Sequence, residues 1–148
     1  MPFSVPLRVR FAECDMQGHV FNAHYLTWFD LAHTEALRAA TGLPYLEIVR
    51  TYGVDVVVAE THVRHFAPAH FDDELEIEVV FDEPSTSSLT SRFAIHRGAD
   101  LLADGWVRHV CVDVEAYAKA PWPDGLRAAL RPYVAGAASS TTMPSRPT

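Results

Sequence analysis

An α+β fold follows from three features of the sequence. One long apolar helix pattern stands early in the chain, four long strand patterns follow it, and short polar links join most of those strands. One domain is the simplest organisation of 148 residues, since such a chain buries roughly 70% of its unfolded surface around one core.

The elements can be justified in order. "LRVRF" (7–11) alternates Leu7, Val9 and Phe11 with Arg8 and Arg10, the pattern of a half-buried strand. "HYLTWFDLAHTEALRAATG" then carries Tyr25, Trp28, Phe29, Ala32, Ala36, Ala39 and Ala40 at helical spacing, with Asn22 as an N-cap and Gly42 followed by Pro44 as a stop. The helix is expected over 23–41. Leu26, Leu31 and Leu37 widen its apolar stripe, so the sheet is expected to wrap it on most sides. "GVDVVVAETHVRHF" (53–66) is valine-rich and too long for one flat strand, which predicts a bulge. "DELEIEVVF" (73–81) places Leu75, Ile77, Val79 and Phe81 inside and Glu74, Glu76 and Glu78 outside. "SLTSRFAIHR" (88–97) and "LLADGWVRHVCVDVEAY" (101–117) are two more strands, and the links "DEPSTSS" and "RGAD" suit antiparallel hairpins. "PWPDGLRAALRPY" gives a short last helix. From Ala135 the chain is small and polar, with almost nothing to bury, so 135–148 is expected to be a disordered tail beyond a folded domain of 1–134.

Composition excludes several classes. A net charge of −7 disfavours nucleic acid and anionic membrane surfaces, which need basic patches. No apolar run approaches the roughly 18 residues of a membrane span, and "MPFSVPLRVRF" has no apolar core of a signal peptide. Cys14 and Cys111 form neither a disulfide framework nor a zinc spacing, which fits a reduced cytoplasmic setting.

The densest chemistry is "ECDMQGHVFNAHY" (13–25). Asp15, Gly18 and Asn22 suit a turn and a helix cap. A metal site would need a better ligand pair than His19 and His24, five residues apart, or His62 and His65, which a strand aims at opposite faces. Cys14 beside Asp15 is more simply a small apolar residue than a nucleophile. A fourth reading uses the unpaired N–H groups and positive end of a helix start to hold a carbonyl oxygen as it becomes an oxyanion. Asp15, seven residues before Asn22 across a glycine turn, could then activate water or attack the carbonyl. The residues alone leave cap and carboxylate chemistry both open.

"RFAECDMQGHVFNAHYLTWFDLAHTEALRAATGLP" resembles the hot-dog-fold acyl-CoA thioesterases of the 4-hydroxybenzoyl-CoA thioesterase type. Asp15, Gly18, Asn22 and Tyr25 occupy the places of that family's acid, glycine turn, polar or aromatic position and helix tyrosine. In "HFAPAHFDDELEIEV", Phe66, Pro68, Phe71, Asp72 and Asp73 match its aromatic-x-x-Pro strand end and Asp-Asp turn. The resemblance implies a hot-dog fold, in which an antiparallel sheet of about five strands wraps one central helix. It implies dimers, often paired into tetramers, with active sites at the interface. Asp15 would be the catalytic carboxylate, the N–H at Asn22 would polarise the thioester carbonyl, and its side chain would orient water or substrate. Gly18, His19, Tyr25 and Phe66 would contact substrate or support those that do. No cofactor or metal is implied. Where the family's phosphate-gripping basic residues are expected, this chain has "PSTSS", so the hydroxyls of Ser85, Thr86, Ser87 and Ser88 would bind the CoA phosphates weakly, with Arg64, Arg92 and Arg97 as substitutes from the same or another protomer. The function expected is hydrolysis of an acyl-CoA to a free acid and CoA. A hot-dog module that binds acyl-CoA without turnover is the alternative, and a hot-dog dehydratase a more distant one.

Overall fold

The structure is a computed structural model and describes residues 2–136. The elements run β1 (Phe3–Arg8), α1 (Ala23–Thr41), α2 (Tyr45–Tyr52), β2 (Val54–His65), β3 (Glu74–Phe81), β4 (Ser88–Arg97), β5 (Asp100–Asp113) and α3 (Asp124–Leu130). One antiparallel sheet has the order β1-β3-β4-β5-β2. The long helix α1 lies across one face of it, which is the hot-dog arrangement. The expectation for the tail falls, from residue 137 on, outside the described residues.

α1 has the expected bounds. Its end follows from Gly42, whose φ of +71° turns the chain left-handed while its N–H caps the Arg38 carbonyl at 2.8 Å. Tyr25, Trp28, Phe29, Ala32, His33, Ala36 and Leu37 form its buried face. Phe29 lies flat on Phe93 of β4, centroids 4.5 Å apart and planes within 8°; burying each such ring contributes about 2–3 kcal/mol. Gly105 on β5 permits this close approach. A Cβ there would lie 2.0 Å from the His62 carbonyl oxygen and 2.9 Å from the Phe29 ring.

The sheet wraps the buried face of α1, while Leu26 and Leu31, expected to widen that face, remain 38% and 39% exposed. The first strand is also displaced. Its pairing with β3 runs from Phe3 opposite Val79 to Arg8 opposite Glu74, while the alternation carries on through the buried Val9 to the exposed Arg10. Phe11 then falls in a 3-10 turn, 78% exposed, against the edge of Phe71. β2 is bulged between Val58 and Glu60, as its length required. β5 ends at Asp113, short of the expected 117, where the Asp113 side chain caps the N–H groups of Glu115 and Ala116 and starts a turn. α2 was not foreseen.

Under the middle of α1 sits a buried polar cluster. His33 and the β5 residue His109 stack with centroids 4.0 Å apart and planes 18° from parallel. His33 Nδ1 lies 3.0 Å from Ser91 Oγ of β4. Burial pushes both imidazoles below the usual histidine range, His109 to about 4, and the stacked neighbour adds to the effect on His33. Both rings are therefore neutral near pH 7.

Candidate active site

The loop before α1 is a small hairpin closed by a bridge between Cys14 and Val20. The Asp15 N–H donates to the His19 carbonyl at 2.8 Å and the Gly18 N–H to the Asp15 carbonyl at 3.0 Å. Gly18 has φ +78°, with open space where a Cβ would stand, so its backbone angle rather than crowding calls for glycine. The Asp15 carboxylate accepts the Gln17 N–H at 2.9 Å, in an Asx turn. It faces a cleft and makes no salt bridge among the described residues.

Glu13, two residues earlier, is in the opposite condition. It is 4% exposed and accepts hydrogen bonds from the Arg10 N–H at 2.8 Å, the Arg10 guanidinium at 3.3 Å and the Trp28 indole N–H at 2.8 Å. Burial raises its carboxyl, but the guanidinium, the Arg10 N–H and the indole together hold it below the usual range. Glu13 thus latches the loop to α1 and leaves Asp15 as the free acid.

At the helix start Asn22 has an α-helical backbone and its side chain makes no cap hydrogen bond, contrary to the capping expected of it. The His24 and Tyr25 N–H groups are spent on the Phe21 and Asn22 carbonyls at 3.0 and 3.3 Å. The N–H groups of Asn22 and Ala23 have no partner among the described residues, and both sit at the positive end of the helix.

Two sequence motifs far apart in the chain meet here. The Val20 N–H donates to the Ala69 carbonyl at 2.9 Å, the Ala69 N–H donates to the buried Tyr25 Oη at 3.3 Å, and His19 bridges to His70. Burial raises the Tyr25 phenol. The Asp73 side chain holds the His70 N–H at 2.8 Å and the Arg97 guanidinium at 2.7 Å, which fixes the turn after Pro68.

The result is an open cleft of about 340 Å³ lined on one side by Asp15, Gln17, His19, Val20, Asn22 and Tyr25 and on the other by His65, Phe66, Ala67 and Pro68. Asp15, His19, Asn22, Tyr25 and Phe66 are therefore brought together, with Gly18 in the turn that shapes the loop. Arg64 stands over the Phe66 ring at 5.4 Å, but its guanidinium is forked onto the buried Asp104, with both contacts at 2.9 Å. Ser88 and Arg92 lie elsewhere. The Ser88 hydroxyl pairs with that of Ser85 at 2.6 Å, and Arg92 with Asp82 at 2.7 Å.

His65 is the lining residue that sequence reasoning passed over. Its ring meets Tyr25 edge-on at 4.7 Å, whereas His62, on the other face of β2, stacks on Trp106. The odd spacing of the two histidines had separated their faces, but nothing local pointed the end of β2 at the start of α1.

The model of the thioesterase-like superfamily matches residues 9–130, most of the chain. The chain belongs to that superfamily. Among curated relatives this thioesterase is 30% identical over 135 residues to the acyl-CoA thioesterase YbgC of Haemophilus influenzae, covering 86% of this chain and 93% of the relative. It is 27% identical over 124 residues to a 1,4-dihydroxy-2-naphthoyl-CoA hydrolase of Thermosynechococcus vestitus, covering 83% and 84% of the two chains. A hypothetical protein from Thermus thermophilus superposes with a TM-score of 0.80 at 32% identity, over 88% of this thioesterase and 98% of that structure.

Proposed function

We propose that the Asp15 cleft is where an acyl-CoA thioester is hydrolysed. The chain is a thioester hydrolase of the hot-dog fold. The observation that carries the assignment to this cleft is the conjunction of a carboxylate without a cation and two unpaired N–H groups at a helix start. The Asn22 and Ala23 N–H groups receive the thioester oxygen and stabilise it as charge develops. One such donor is worth about 3–4 kcal/mol in the barrier. Asp15 drives the attack, as general base toward water or as nucleophile. The oxygen–acyl bond forms, the carbon–sulfur bond breaks, and the thiolate leaves to take up a proton. Gln17 fixes the carboxylate through its N–H, while His19 and Tyr25 line the wall beside Asp15 and Phe66 faces them. Asn22 orients water or substrate with its side chain, and Gly18 lets the substrate approach the backbone.

Self-association belongs to the same reading. β2 pairs with β5 on one edge only, and Val58, Ala59, Glu60 and Thr61 are exposed along the other. Joining two such edges makes a continuous sheet, as a dimer or a dimer of dimers. Arg64 at the rim is the cation this chain offers to CoA phosphates, and Ser88 and Arg92 reach them only from another protomer. No described helix is long and apolar enough to cross a membrane, and the reading places the protein in the cytoplasm.

Thiol release from a panel of acyl-CoAs tests the proposal. Wild type turns over at least one class, and folded Asp15→Asn loses that turnover. The alternative, a binding module without turnover, is favoured by the lack of arginine or lysine among the residues lining the cleft. Tight acyl-CoA binding with no thiol release across the panel would establish it instead.

A further inference from the structure

The groups given a part in the reaction so far stand on one wall of the cleft. Asp15 and Asn22 lie on the side of α1 and its loop, and His65, Phe66, Ala67 and Pro68 make the opposite wall. A thioester whose oxygen points at the Asn22 and Ala23 N–H groups presents one face of its carbonyl plane to Asp15 and the other to that second wall. When an oxygen attacks from the Asp15 side the carbon becomes tetrahedral, and its three original substituents bend away from the attacking atom. The sulfur therefore moves toward the second wall as its bond to carbon weakens and negative charge gathers on it.

That wall holds one side chain able to meet the charge. The Phe66 and Ala67 N–H groups both donate to the Leu102 carbonyl, at 2.8 and 3.2 Å, and Pro68 has no N–H. The side chains of Phe66, Ala67 and Pro68 carry no donor, whereas the His65 imidazole does. His65 is exposed, and its ring nitrogens have no hydrogen-bond or ion-pair partner among the described residues. The ring is held edge-on against the buried Tyr25, centroids 4.7 Å apart and planes 86° from parallel. Strand alternation aims it there, since Val63, two residues earlier on β2, packs against the core on the same face. The other donors of the cleft are placed differently. His19 lies on the Asp15 wall with its ring 5.2 Å from that of His70, and the Tyr25 oxygen is buried beneath the Ala69 N–H.

We propose that His65 is a second catalytic residue of the cleft, the acid that gives a proton to the departing sulfur. The inference rests on the reading of the Asp15 cleft as the hydrolytic site. The protonated imidazole is the donor. The carbon–sulfur bond breaks, its electron pair stays on sulfur, and the ring proton joins it. The thiol leaves, and the neutral ring takes a proton back from water. Histidine is the side chain most often used for such transfers. A thiol of ordinary basicity is mostly protonated near pH 7, so the transfer runs toward the stable product.

The test uses three thioesters of one acid, made with CoA, with benzyl thiol and with 4-nitrothiophenol. Benzyl thiol resembles CoA in basicity and the nitro compound in size, whereas 4-nitrothiolate leaves without a proton. His65→Phe, which keeps an aromatic edge for Tyr25, is expected to lose about tenfold or more in kcat on the CoA and benzyl esters. Its kcat on the nitrothiophenyl ester changes little, and its melt stays near that of wild type. His65→Gln follows the same pattern, because an amide donates a hydrogen bond but does not give up its proton. An equal loss on all three esters, no loss on any, or wild-type turnover of the CoA ester by His65→Gln overturns the inference. Asp15→Asn marks the other failure: it should lose turnover of every ester. If it does not, or if wild type hydrolyses none of them, the reading of the cleft has failed and the role of His65 falls with it.

Discussion

Beneath the middle of α1, His33 and His109 stack face to face with Ser91 at hydrogen-bonding distance, all three nearly inaccessible. At the start of the same helix, His19, His65 and Asp15 line an open cleft. The residue types overlap, but the physics differs. In the sealed seam the backbone of β5 and the rings of α1 touch so closely that a single methyl group has no room. In the cleft, two unpaired backbone N–H groups and a carboxylate without a cation are held apart by a hairpin whose own hydrogen bonds are satisfied. Glu13 divides the two regions, since its carboxylate is consumed in anchoring the loop to Trp28. Titratable groups closed into the interior set stability, and those held open at the helix start are available for chemistry.

Substitutions can break this contrast, and the largest effect is expected in the seam. Gly105→Ala forces a Cβ against the His62 carbonyl oxygen and Phe29. Overpacking of that kind should cost about 3 kcal/mol, read as a lower midpoint in urea unfolding. Acid should be nearly as damaging. His109 has its pKa depressed by burial to about 4 in the folded chain, against about 6.5 unfolded. The unfolded chain therefore takes up the proton first. The stability that the neutral ring provides is complete above pH about 6.5 and is lost as pH falls toward 4, by roughly 2–3 kcal/mol. His33 moves in the same direction. Unfolding measured between pH 7 and 4.5 should show this slope, and His109→Leu should flatten it.

Smaller effects are expected toward the cleft. Glu13→Gln removes the charge that Arg10 and the Trp28 indole bind, and should cost about 2 kcal/mol. Gly18→Ala meets no atoms but keeps a φ of +78°. It should cost about 1 kcal/mol in stability and should lower turnover by shifting Asp15. A Gly18 variant that melted like wild type and kept full turnover would show that the hairpin does not position the carboxylate.

Local periodicity made much of the fold legible. α1 was readable because its buried positions recur at helical spacing and Gly42 stops it. β3 was readable because Leu75, Ile77, Val79 and Phe81 alternate with glutamates. α2 escaped notice because eight residues between Pro44 and Gly53 are too few for a clear period. The exposed Leu26 and Leu31 misled because apolar spacing does not say which side a sheet will cover. In the cleft, Asp15, Asn22 and Tyr25 were legible as one local motif and Phe66 through the family resemblance. His65 was not, because only the tertiary crossing of β2 and α1 brings it there. The separate fates of Glu13 and Asp15 depend on Trp28, fifteen residues away from Glu13, and no spacing rule reports that contact.

Turnover of Asp15→Asn and Glu13→Gln, measured side by side on the best acyl-CoA substrate and below both melting temperatures, tests the central claim most directly. The account expects Asp15→Asn to lose about a thousandfold in kcat while its melt stays near that of wild type, and Glu13→Gln to melt earlier yet keep most of its kcat. Equal turnover in folded Asp15→Asn and wild type, or a loss confined to Glu13→Gln, would contradict it.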